Sequence, residues 1–208
     1  MTVVPPSRNI VLLFLCQALF WSALMIGITM SGLVGKMLSD SPGLATLPAG
    51  FLAISTIIAT SPASGLMQRH GRRAGFLLGA VAGILGGALC VYAIFQQDFI
   101  LFCTGNALLG FYQAIGNFYR LAAADYAPAE TRGQAVSLVM AGGIVAALVS
   151  PTLSKWANGL FDPVLFAGSF AAVVALSGLS IALISLLAPQ AASTPARRRA
   201  EAPWCPPS

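Results

Sequence analysis

The chain reads as an all-α integral membrane protein with six transmembrane helices. Two observations carry that reading. Of its 208 residues, 57% are hydrophobic and only 8% charged, whereas a soluble domain carries about 25% charged residues. The apolar residues also fall into six long runs, each near the roughly 20 residues that a helix needs to cross a bilayer core. Lipid is therefore the expected solvent and first partner. The net charge of +5 does not indicate nucleic acid, because the basic residues sit in short gaps between apolar runs and form no polar face.

The six runs are 10–34, 45–67, 74–95, 99–125, 134–156 and 163–188. The first is read as a span and not as a cleaved leader. It is long, only Arg8 precedes it as a basic residue, and no small-x-small cleavage pattern follows. The second carries Pro62 and the fifth Pro151, each 17 residues past its expected start. Paired prolines at matching positions suggest a 3+3 inverted repeat. The third has Gly75, Gly79, Gly83 and Gly87 four apart, a smooth groove for a neighbouring helix. The sixth is expected to start at Asp162-Pro163, an N-cap residue followed by proline. Residues 1–9 and 189–208 flank this unit. The tail is rich in Pro and Ala and reads as disordered.

Charge sets the expected orientation. With alternating sides, Arg8, Arg69, Arg72, Arg73, Arg120, Arg132, Arg197, Arg198 and Arg199 share one side, and Lys36 and Lys155 share the other. The positive-inside rule then puts both termini in the cytoplasm, in a cell membrane of the bacterial inner-membrane kind.

The densest basic run, Arg69-His70-Gly71-Arg72-Arg73, falls in the turn between spans two and three. By charge alone it is an anchor for topology. With Ser64 and Gln68 it also resembles the loop signature of the major facilitator superfamily: small, three residues, Asp, Arg, any, Gly, Arg, Arg or Lys. Ser64 takes the small slot and Gln68 the Asp slot. "NALLGFYQA" (106–114) is similar to the family's fourth-helix signature, with Asn106 in place of its Arg. "DYAPAETRGQA" (125–135) resembles its second cytoplasmic loop, with Asp125 and Arg132 as the acid and base. "AGGIVAALVSP" resembles its Gly-rich fifth helix, with Ser150 before Pro151. The resemblance spans nearly all of residues 10–188 and implies the N-terminal six-helix half of a secondary transporter. It implies a cytoplasmic gating loop at Gln68, Arg69, Gly71, Arg72 and Arg73, and a loop charge pair Asp125–Arg132. Gln68 supplies no carboxylate to such a latch.

Asn106, Gln113, Asn117 and Arg120 fall within roughly 60° on a straight helix. Polar groups in lipid are costly, so the stripe is expected to face protein or a water-filled path. Arg120 either attracts a polar or anionic solute, or snorkels to the surface or pairs with Asp125. Gln17 in the first span either lines the same path or bonds a neighbouring helix. No acidic residue lies mid-helix, so no coupling ion is assigned.

The expected function is movement of a small polar or anionic solute by alternating access. The alternative is a non-transporting truncated remnant or an assembly partner. Six spans fit a truncated product, a half-size carrier that dimerises, or one half of a two-chain carrier, with truncation the expectation. An intramembrane enzyme is excluded, since the single histidine, His70, lies in a turn and no acid–base pair sits inside the membrane. Cys16, Cys90, Cys103 and Cys205 form no metal-binding spacing. Neither a metal nor a cofactor is expected.

Overall fold

A computed structural model describes residues 8–39, 42–158, 164 and 166–187. Its α-helices are α1 (Arg8–Leu38), α2 (Leu47–His70), α3 (Arg72–Gln96), α4 (Phe99–Gly116), α5 (Tyr119–Tyr126), α6 (Arg132–Asn158) and α7 (Ala167–Ser185). Among the described residues, six spans are long and apolar enough to cross a membrane, with α4 and α5 together forming the fourth. The expected start at Asp162-Pro163 and the tail 189–208 lie outside the described residues.

Local chemistry explains the helix ends. Asp98 caps α4 through its side chain, which accepts from the Leu101 amide at 3.0 Å. Between α2 and α3 stands one residue, Gly71, at φ 84° and ψ 159°. That backbone region is open essentially to glycine alone, so a single residue can reverse the chain.

The fourth span is not one straight helix. Asn117 and Phe118 form a turn between α4 and α5, and the Phe118 amide donates to Ile115 O at 3.0 Å, a bond three residues long. Gly116, a poor helix former, presses its backbone against the Phe20 ring. A β-carbon there would collide with that ring. Close packing on α1 thus wins over regular helix.

In the bundle, α4 packs on α2 and α3, α1 packs on α6 and α7, and α3 packs on α7. The glycine groove of α3 serves this packing. A β-carbon added at Gly83 would lie 2.7 Å from Ser177 Oγ, and one at Gly87 would lie 2.8 Å from Val174. Aromatic rings fill the centre. Phe20 meets Tyr112 edge-on at 5.2 Å, and Phe76 stacks on Tyr119 at 4.4 Å. Large apolar side chains also cover the outside, including Ile57, Ile100 and Leu148, each 75% exposed. Water would penalise that surface and lipid would not.

Pro62 and Pro151 both sit inside continuous helix. They are the sixteenth residue of α2 and the twentieth of α6, so the equal offset expected from sequence is not kept. The reason is that α6 begins at Arg132, before its apolar run, whereas α2 begins inside its own.

Candidate functional site

The polar stripe of the fourth span divides into a locked part and an open part. Asn106 is completely buried. Its Nδ2 donates to Phe102 O at 3.0 Å and approaches Cys90 Sγ at 3.7 Å. Its Oδ1 lies 2.6 Å from Ser31 Oγ, whose one proton is also within reach of Gly27 O at 2.7 Å. Asn106 therefore ties α4 to α1 and α3 and does not reach an open face. The small residues around it explain why. Gly86 and Gly105 let α3 and α4 approach until a β-carbon on either would touch the other backbone, at 3.0 and 3.1 Å.

Two turns along, Gln113 is half-buried, and Thr56 Oγ1 of α2 lies 3.1 Å from its Oε1. Leu52 O and Gly110 O compete for the same hydroxyl proton, at 2.8 and 3.1 Å. Asn117 and Arg120 follow, both exposed. Neither has a side-chain hydrogen bond or ion pair among the described residues. The break at Asn117–Phe118 carries Arg120 onto a separate short helix.

Gln17 is 5% exposed and packs beside Gly142 of α6. Its Oε1 finds no hydrogen-bond donor among the described residues, so it bonds neither neighbouring helix. A buried unpaired amide oxygen in a membrane span is costly.

The basic turn is built differently from the sequence expectation. Arg72 pairs with Asp125 at the end of α5. Arg73 donates to Ser185 O at 2.7 Å, at the end of α7. The two arginines at the start of α3 thus join the ends of three helices, and Arg73 also meets the partial negative charge of a helix C-terminus. Arg132 was expected to partner Asp125 but does not. It opens α6, is exposed, and forms no ion pair among the described residues. Arg120 is likewise not the partner of Asp125. Gln68 stays within α2, donating to Ser64 Oγ at 3.4 Å, and Arg69 and His70 are exposed.

Sequence reasoning missed Ser31, Thr56 and the Ser185 carbonyl. A serine or threonine in a membrane helix usually bonds its own backbone four residues back, and Thr60 does so here. Its type alone does not reveal a cross-helix role. Among the described residues, no three His, Cys, Asp or Glu side chains gather as metal ligands would.

A family profile for the Major Facilitator Superfamily matches residues 10–207. The riboflavin transporter RfnT of Brucella anthropi is 39% identical over 180 residues, which cover 86% of this chain and 45% of that transporter. The uncharacterized MFS-type transporter YddS of Bacillus subtilis is 26% identical over 168 residues, covering 79% of this chain and 38% of its own. The chain thus spans less than half the length of these relatives. Six membrane-spanning helices, the shared loop and helix signatures and the profile match agree, and this multi-pass membrane protein belongs to the major facilitator superfamily.

Proposed function

We propose that the chain forms one six-helix half of a solute transporter, working by transport and not by catalysis. Its solute is a polar molecule of the riboflavin kind. The observation that carries this is the 39% identity to a riboflavin transporter across most of the chain. The open polar side chains supply the second argument. Gln113, Asn117 and Arg120, with Thr56 and Thr60 of α2, offer neutral donors and acceptors and one cation. Such a set suits a flavin's carbonyls and sugar-alcohol hydroxyls. Gln17 is assigned to the same path when α1 and α6 part, where a solute N–H would satisfy its unpaired, now buried, oxygen. Asn106 is assigned to packing.

Alternating access needs a second half, which is either another six-helix unit or a second copy of this chain. The solute-side flanks of the spans through α2 and α6 are the natural contact surface. Only 22% of the apolar window of each is buried, against 44–61% in the other four. The inverted repeat is supported by neighbour relations. Exchanging spans one and four, two and five, and three and six turns the α4–α2 and α4–α3 packing into α1–α6 and α1–α7. The charge bias supports cytoplasmic termini. On that side Gln68, Arg69, Gly71, Arg72 and Arg73 form the gating turn, with Asp125 holding Arg72.

The test is uptake of labelled riboflavin by a riboflavin-requiring bacterium expressing the chain, alone and with a candidate second half. Uptake above the empty-vector level supports the reading. Uptake of another solute with none of riboflavin would replace it.

A further inference from the structure

The basic turn divides its charges. Arg72 and Arg73 are used in contacts with the ends of other helices. Arg69 and His70 point outward and have no hydrogen-bond or ion-pair partner among the described residues. No carboxylate on α2 offsets them, since the helix contains no Asp or Glu.

These two side chains end a shallow, open groove along the surface of α2, whose other lining residues, Pro62, Gly65 and Leu66, belong to the same helix. Gly65 leaves the groove open, because a β-carbon there would meet nothing within 4 Å. The groove continues an apolar strip. At 100° per residue, Phe51, Ile58, Pro62, Gly65 and Arg69 lie within about 60° of one another. Phe51 is 45% and Ile58 69% exposed. Thr60, assigned above to the solute side, points about 180° away from Phe51. The strip and the solute-facing flank are therefore different sides of α2.

A long apolar strip that ends in a glycine notch and an uncompensated basic pair at a helix end has the form of a lipid. We propose that this groove binds an anionic phospholipid. Its phosphate meets the Arg69 guanidinium and a His70 ring N–H, and one acyl chain lies along Ile58, Pro62 and Gly65. Arginine favours phosphate through its planar fork of donors. His70 has an N–H donor whether neutral or charged. A free anion would use the two basic groups and leave the apolar strip unused. Anionic headgroups near a membrane surface attract basic side chains in this way. The inference does not depend on which solute is carried.

Native mass spectrometry of the full chain, released from detergent with equal amounts of dioleoyl phosphatidylglycerol and dioleoyl phosphatidylcholine, tests it. One phosphatidylglycerol is expected to be retained in preference. Arg69→Gln should lower the retained fraction about fivefold. Gly65→Leu should lower it too, by filling the groove at unchanged charge. The two variants act through different chemistry, so failure of one to fold leaves the other as the test. Equal retention of both lipids would overturn the proposal, as would retention unaltered by the variant or variants that fold. So would displacement of the lipid by inorganic phosphate alone, or crosslinking of the Gly65→Cys variant to a second polypeptide in native membranes.

Discussion

Arg72 at the start of α3 is paired with Asp125 at the end of α5. The pair joins the turn after the second span to the end of the fourth. Beside it, Arg73 reaches the last carbonyl of α7. Two adjacent arginines of the basic run therefore gather three helix ends.

The Arg72 and Asp125 side chains are 24% and 46% exposed, so solvent screens the pair. A double-mutant cycle with Arg72→Gln and Asp125→Asn should give a coupling of about 0.5–1 kcal/mol, shrinking as salt rises. Thermal unfolding of the four proteins in detergent measures it. Arg132→Gln, which touches no ion pair among the described residues, should show no coupling to Asp125.

Asn106→Ala should cost about 1 kcal/mol, within the range measured for hydrogen bonds between membrane helices. Ser31 keeps an acceptor in Gly27 O, which limits the loss. Solute affinity should be unchanged, because Asn106 is buried among α1, α3 and α4. Thermal stability and riboflavin titration, measured together, separate this from a role on the path.

How far these features were legible in sequence depended on their range. The glycines at 75, 79, 83 and 87 announced a helix groove, since their four-residue spacing is fixed by helix geometry, and Gly83 and Gly87 do face α7. Gly71 was legible as a turn because apolar sequence stops on both sides of it. The break at Asn117–Phe118 was not, for it comes from the Phe20 ring pressing on Gly116, a contact between residues far apart in sequence. The straight-helix stripe of Asn106, Gln113, Asn117 and Arg120 accordingly kept its spacing but not its single environment. The partner of Asp125 is hidden from sequence for a similar reason. Arg132 is near in sequence, whereas Arg72 is brought near by packing.

Gly110 should tolerate no side chain. A β-carbon there collides with Leu52 O and lies 2.8 Å from Ser55 Cβ, and a backbone carbonyl cannot move aside cheaply. Gly110→Ala should destabilise by about 1–3 kcal/mol and reduce the yield of folded protein. Gly65→Ala, which enters open space, should leave the yield unchanged. Size-exclusion profiles of the two variants provide the comparison.

Gly71→Ala meets no neighbouring atom, yet it should still destabilise, by about 1–3 kcal/mol, because the backbone at φ 84° and ψ 159° strains any residue with a β-carbon. A lower unfolding temperature in detergent would show it. An unchanged temperature would mean that the turn relaxes without cost.

The most direct measurement is riboflavin binding to the purified chain in lipid nanodiscs, followed by quenching of flavin fluorescence, for wild type, Asn117→Ala, Arg120→Ala and Asn106→Ala. Saturable binding is expected for wild type. Affinity should be about tenfold weaker for Arg120→Ala, the loss of one charge-assisted hydrogen bond, with a smaller loss for Asn117→Ala and wild-type affinity for Asn106→Ala. Wild-type binding unaltered by Asn117→Ala and Arg120→Ala, or weakened most by Asn106→Ala, would contradict the assignment of the open end of the stripe to the solute path.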